Sequence, residues 1–382
     1  MKSWPKLRCN RAAIIWAAVL ALVVVGSVLS YRLATSDVDG SANLASSIRR
    51  MDKLVQTFVS DKQFMGSVLV AQRGRILLDK GYGFANIEQR IPNAPSTKFR
   101  LGSLTKQFTA ASILLLEERG KLSIDDPIKK YLPDAPAAWG KITIFNLLTH
   151  TSGIPNDTEF PEFRASMQLP TTPEKLIAQF RDKPLDFPPG QYWRYSNSGY
   201  ILLGHLIEKL SGQSYAQFVR DNIFLTLGMK DSGYDTESPN IRHRAIGYER
   251  GTLADAEYIN MSQPFSAGGL YSTTEDLLRW ERGLFRGVVL TPNSLKKMTT
   301  TYRSDYAFGL WVRERNEHRV IEHGGGINGF RTWLAYYPDD DLTIVVLGYV
   351  EDGPSDNIAA NLASLAFGKG VLMLFDPTVS FP

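Results

Sequence analysis

Residues 99–120 read FRLGSLTKQFTAASILLLEERG. Leu101, Leu104, Phe108, Ala111 and Leu115 recur at helical spacing, and Ile113 to Leu116 is apolar on every face. A helix of that kind is a central, buried element rather than a surface amphipath. Ser103 stands where it should begin and Gly120 where it should end. Three residues apart, Ser103 and Lys106 share a helical face, so their side chains can touch. Ser103 can be an ordinary N-cap. That leaves Lys106 awkward, because a capping box wants Glu or Gln there and a first-turn cation opposes the helix dipole by roughly 0.3–1 kcal/mol. Alternatively, the same field with burial lowers the lysine pKa and sets a proton acceptor beside a serine hydroxyl. Ser-x-x-Lys alone decides little, since Ser3–Lys6 and Ser294–Lys297 match it too.

Around this helix, 382 residues with 43% hydrophobic and 21% charged content are enough for one large domain or two smaller ones. Lys2, Lys6, Arg8 and Arg11 carry +4, the net charge of the whole chain, so everything after residue 11 nets to zero. Nothing suggests a nucleic-acid surface. Ala12 to Ser30 is uncharged and nearly all apolar. After a basic flank, this run predicts a transmembrane signal-anchor at 12–30 with a cytoplasmic tail at 1–11; cleavage near Ala34-Thr35-Ser36 is the alternative. Cys9, the only cysteine, precedes the span, so the exported part has no thiol for a disulfide. Residues 31–45 read as a tether, 46–370 as the folded domain and 371–382 as a C-terminal tail. Within the domain, a helix follows Ser46 and strands at 67–72 and 75–80 form a hairpin around Arg73-Gly74. Residues 83–98 are expected as loop. Mainly helical segments run to about 233, with helices at 199–210, 274–284 and 292–300. Strands 332–337 and 342–347 flank Pro338-Asp339-Asp340-Asp341, and a closing helix carries Ile358, Leu362 and Leu365. Strands at both ends with helices between imply an α+β fold, one sheet built from distant segments plus a helical insertion.

Two further stretches can carry chemistry. Tyr195-Ser196-Asn197 lies between a Pro/Gly loop and the 199–210 helix, where a phenol can relay a proton as tyrosinate and a carboxamide can bond a substrate carbonyl. The bland alternative is a turn with a packed tyrosine; Tyr258-Ile259-Asn260 repeats the pattern. Glu322-His323-Gly324-Gly325-Gly326-Ile327-Asn328-Gly329 satisfies G-x-G-x-x-G, but Phe330 to Leu334 after it is strand-like, so the dinucleotide context fails. The glycines either let a ligand approach the backbone closely or form a bend in a hairpin. No G-x-S-x-G elbow, H-E-x-x-H or P-loop is present, and no metal or cofactor is implied. His205, His243 and His318 read as structural or solvated. A Ser-His-Asp arrangement through His150 has no supporting spacing.

In order, Ser103-x-x-Lys106, Tyr195-x-Asn197 and His323-Gly324-Gly325 resemble the serine β-lactamase and penicillin-binding DD-peptidase superfamily. FRLGSLTKQFTA, LLTHTSGI and YSNSGYILLG look like its branch of class C β-lactamases, their esterase relatives and DD-carboxypeptidases. The resemblance covers roughly residues 48–368. It implies an antiparallel sheet flanked by helices, with a helical subdomain and the site between them. It also implies Ser103 as nucleophile, Lys106 and Tyr195 sharing the base role, and Asn197 on the substrate's acyl side. The backbone N–H groups of Ser103 and Gly326 would form the oxyanion hole, with His323, Gly325 and Gly326 contacting substrate. Many members carry Lys-Thr-Gly where this chain has His323-Gly324-Gly325. Histidine replaces a permanent cation and the threonine hydroxyl is lost, which favours an ester or amide hydrolase over efficient β-lactam turnover. A partly charged His323 is then expected to meet a substrate carboxylate below about pH 6.5, with Arg331 as the other available cation. A DD-carboxypeptidase or endopeptidase acting on cell-wall peptides is the alternative.

Overall fold

The computed structural model describes residues 44–370 except 237, 239, 240, 316, 351 and 352. The expected tail, membrane span, C-terminal tail and all but two residues of the tether lie outside them. Two compact units divide at Arg50 and Met51. In the first, residues 44–50 are helical, so helix starts slightly before the expected Ser46. Everything below belongs to the second.

Six strands form one antiparallel sheet: β1 Gly66–Gln72, β2 Arg75–Tyr82, β3 Trp311–Arg315, β4 His318–Ile327, β5 Phe330–Tyr337 and β6 Leu342–Gly348. Their spatial order is β2-β1-β6-β5-β4-β3. The N-terminal hairpin therefore joins the C-terminal strands through β1 and β6, in register from Gly66–Gly348 to Gln72–Leu342. Alternating side chains serve two cores. Val68, Val70, Ile344 and Val346 pack with Met51, Val55, Ile358 and Leu362 of the terminal helices, the second of which is Ser355–Ala366. Leu69, Ala71, Val345 and Leu347 join the larger core around the central helix.

That central helix is Thr105–Glu118, entered through a 3-10 turn at Gly102–Leu104 and closed by Gly120 at φ 65°. Every residue from Thr105 to Leu116 is buried. The Phe108 ring lies tilted against that of Trp280 of helix Thr274–Phe285, centroids 4.2 Å apart, and each such buried side chain contributes about 1.5–3 kcal/mol. Helix Asn197–Ser211 packs against the central helix and is capped by Gly212 at φ 73°. One expectation needs correction: residues 83–98 are not all loop, because Phe84–Asn86 pairs with Ile91–Pro92. The expected α+β architecture is observed.

Candidate active site

Ser103 occupies the middle of the 3-10 turn and makes no capping bond, so the N-cap reading fails. Lys106, one turn on, is fully buried. Its Nζ lies 2.9 Å from Ser103 Oγ, 2.8 Å from Asn197 Oδ1 and 2.9 Å from the Ala267 carbonyl. Burial pushes the lysine pKa well down, and the nearby Asp157 carboxylate opposes that shift only in part. As a neutral amine, Lys106 can donate two N–H groups to Asn197 and Ala267 and turn its lone pair to the Ser103 hydroxyl. The decoy copy behaves otherwise: Lys297 pairs with Glu117 at 2.8 Å.

Tyr195 is buried with its ring 4.7 Å from the Lys106 nitrogen. Burial drives its pKa up and the Ser103 hydroxyl pulls it only partly back. It therefore rests as a phenol, able to pass a proton but not poised as tyrosinate. The loop carrying it is held from below. Ser196 N–H donates to His150 Nδ1 at 3.2 Å, and Asn197 N–H donates to Asn156 Oδ1 at 2.9 Å. His150 sits in the left-handed region at φ 57°, ringed by Tyr195, Tyr200 and Tyr306. Burial above all keeps it neutral. It accepts from the loop that carries Tyr195, and among the described residues no Ser-His-Asp arrangement runs through it.

The glycine stretch is not a bend, because Gly324, Gly325 and Gly326 lie inside β4. A β-carbon on Gly325 would fall 1.9 Å from the Leu101 carbonyl, and one on Gly102 (φ 54°) 2.9 Å from Gly326 N. Only glycines allow the strand to lie this close to the turn, and Thr332 Oγ1 fastens it by donating to the Leu101 carbonyl at 2.8 Å. The backbone of the Ser103 turn and that of β4 around Gly326 are thereby brought into contact. β3 stops pairing at Glu322, so among the described residues no strand pairs with that edge of β4 from His323 onward, and Gly326 and Ile327 line the cleft. The cleft, about 310 Å³, is lined by Ser103, Asn197, Asp157, Gln263, Gly326 and Arg331 among others.

His323 departs from expectation. It is 1% exposed and packed against Trp311, with ring centroids 4.4 Å apart. Nδ1–H donates to the Gly324 carbonyl at 2.5 Å, and the Tyr306 hydroxyl at 3.2 Å can donate to Nε2. Burial above all pushes its pKa down to about 3. A histidine so satisfied in its neutral form is no cation for a substrate. The missing threonine also has a local cause: a β-carbon on Gly324 would sit 2.6 Å from the Trp333 ring. Sequence reasoning missed Asp157, Tyr306, Trp311 and the Ala267 carbonyl, none of which stands in a pattern that signals a site.

A profile of the family described as Beta-lactamase matches residues 32–367. The chain belongs to the β-lactamase family. It is similar to penicillin-binding protein 4* of Bacillus subtilis (strain 168), 31% identical over 328 residues covering 80% of this chain and 72% of that one. Among solved structures it resembles the octameric penicillin-binding protein homologue from Pyrococcus abyssi (TM-score 0.76, 28% identity, 85% of this chain and 78% of the other). It also resembles a D-stereospecific amidohydrolase from Streptomyces sp. (TM-score 0.67, 25% identity, 79% and 93%). The fold is thus that of the serine β-lactamases and DD-peptidases, and the chain is a serine hydrolase of that family.

Proposed function

We propose that this family member cleaves an ester or amide through an acyl-enzyme on Ser103. The observation that carries the reading is the fully buried Lys106 amine 2.9 Å from Ser103 Oγ, in surroundings that favour its neutral form. Neutral Lys106 takes the hydroxyl proton as Oγ bonds to the substrate carbonyl carbon. Charge then collects on the carbonyl oxygen between the N–H groups of Ser103 and Gly326. As the C–N or C–O bond breaks, the proton passes through the Tyr195 hydroxyl to the departing nitrogen or oxygen. Water enters by the reverse path and releases the acid. Asn197, its Oδ1 held by Lys106 and its Nδ2 3.4 Å from Thr158 Oγ1, flanks the acyl side.

A second reading, a DD-carboxypeptidase or endopeptidase on cell-wall peptides, draws on the names of the penicillin-binding relatives. Intact mass after a fluorophosphonate and, separately, after a penicillin tests both. An adduct on Ser103 with the first alone supports the ester or amide hydrolase, adducts with both support the peptidase, and none with either overturns the acyl-enzyme. We further propose that the domain is exported and held by residues 12–30, on the strength of the basic flank and apolar run. Protease added to intact spheroplasts should then shave it; release with a new N-terminus near Asp37 would mean a cleaved signal.

A further inference from the structure

We propose that a second cavity, outside the catalytic cleft, binds a monocarboxylic acid with an apolar body and holds its carboxylate on Lys296. The cavity, about 330 Å³, is lined from helix Pro292–Met298, from helix Ile144–Leu148 and from residues 300–308. It shares no lining residue with the catalytic cleft and is no smaller than it. Ile124, Phe145, Tyr302 and Phe308 supply its apolar wall. Phe145 meets both other rings edge-on, with centroids 5.0 Å from Tyr302 and 5.6 Å from Phe308. Backbone bonds fix the frame: Phe308 N–H donates to the Met298 carbonyl at 3.2 Å, and Tyr302 N–H to that of Tyr306 at 3.0 Å. Ile124 and Phe308 are buried while Tyr302 is 48% exposed, so the wall runs from the core out to solvent, as that of a preformed ligand site does.

Charge selects the class of ligand. The only charged residues lining the cavity are two lysines. Lys297 is held by Glu117 at 2.8 Å. Lys296, exposed on the same helix, has no carboxylate within ion-pair distance among the described residues. One free ammonium beside an aromatic wall is complementary to one negative charge on an apolar body. Asn293 and Thr301, which also line the cavity, add an amide and a hydroxyl that can donate to carboxylate oxygens. A phosphate monoester, with a charge of about −1.5 to −2 at pH 7, would bring a second charge for which the lining holds no free cation. The position matters for the rest of the molecule. Phe145 stands on the helix that runs into His150, and Phe308 two residues after Tyr306. A bound acid therefore rests against the segments that hold the Ser196 N–H and the His323 ring.

Isothermal titration calorimetry of the full chain with 4-phenylbutyrate and, separately, with 4-phenylbutyramide tests the site. No catalytic step is involved, so the outcome is independent of whether Ser103 forms an acyl-enzyme. The acid should bind with a Kd of about 0.1–1 mM, the range open to a ligand of a dozen heavy atoms. The amide should bind about 10-fold more weakly, as expected for loss of a charge-assisted contact. Lys296→Gln should bring the acid down to the affinity of the amide, and Lys296→Arg should keep most of the difference. Tyr302→Ala should weaken acid and amide by a similar factor, because it removes apolar wall and no charge. Lys296 and Tyr302 are both exposed enough for these variants to fold, which circular dichroism checks. Arg331→Gln, which alters the catalytic cleft instead, should leave the titration with the acid unchanged. Absence of binding up to 10 mM, on the order of a tenth of the weakest affinity expected, overturns the proposal. So does an acid that binds no better than the amide, or one whose affinity survives Lys296→Gln. A loss of binding in Arg331→Gln would place the acid in the catalytic cleft and overturn it too.

Discussion

Replacing Glu281 by glutamine should stabilise the fold by an amount that grows with pH. Glu281 lies in helix Thr274–Phe285, 3% exposed, and its Oε2 has no hydrogen-bond partner among the described residues. Burial alone lifts its pKa from 4.5 to about 8. Between those values the native protein keeps a proton that the unfolded chain has released, so stability falls as pH rises, by ~1.36 kcal/mol per pH unit. The accumulated cost is near zero below pH 4, ~3 kcal/mol at pH 7 and ~5 kcal/mol once the buried carboxyl is also ionised. Glutamine does not titrate and carries none of it. Urea unfolding of the parent and Glu281→Gln at pH 4, 5.5 and 7, followed by near-ultraviolet circular dichroism, reads the difference directly. A constant offset between the two proteins is acceptable, because the slope is the test. A difference that stays flat from pH 4.5 to 7.5 would refute the reasoning and mean that the carboxyl is solvated or paired in the native state.

Lys106→Ala and Tyr195→Phe should each lower ester hydrolysis by at least ~100-fold and Ser103→Ala should abolish acylation, whereas Ser294→Ala and Tyr258→Phe leave activity nearly intact; steady-state kinetics on folded variants checks all five. Asp157 raises the Lys106 pKa by its charge, so Asp157→Asn should move the acid limb of the kcat/KM profile to lower pH, and a shift the other way would contradict the neutral-lysine base. With His323 pushed down to about 3, the kcat/KM ratio of anionic to neutral ester should stay flat between pH 5.5 and 8. A fall in that ratio through pH 6.5 would return His323 to the role of substrate cation.

The long central helix was legible because an all-apolar turn leaves no other place for it, and Ser103 with Lys106 came with it. The hairpins were legible from their alternation and turn residues. The sheet order followed less directly, since pairing of 66–72 with 342–348 is a long-range fact that no local window contains. His323 was misjudged for a related reason. Its burial depends on Tyr306, from a loop, and Trp311, from the first residue of β3, which meet the imidazole only in the folded core. One of the two acceptors of Lys106 is a backbone carbonyl, so no residue type at 267 could announce it. Arg331 could be suspected from composition, but its place over Gly326 is a matter of strand register.

β6, flanked by β1 and β5, is the sheet strand made last, about 270 residues after β1 ends. At roughly 5–20 residues per second, on the order of 15 to 50 s separate synthesis of the first hairpin from that of the strand that completes it. Throughout that interval β1 has one open edge and the apolar faces meant for two cores, the kind of surface that recruits other chains. A newborn molecule therefore needs a holding factor or a confined path until residue 348 emerges. A chain cut short before β6 lacks the strand to which its first hairpin pairs, so premature termination should yield insoluble material rather than a smaller working enzyme.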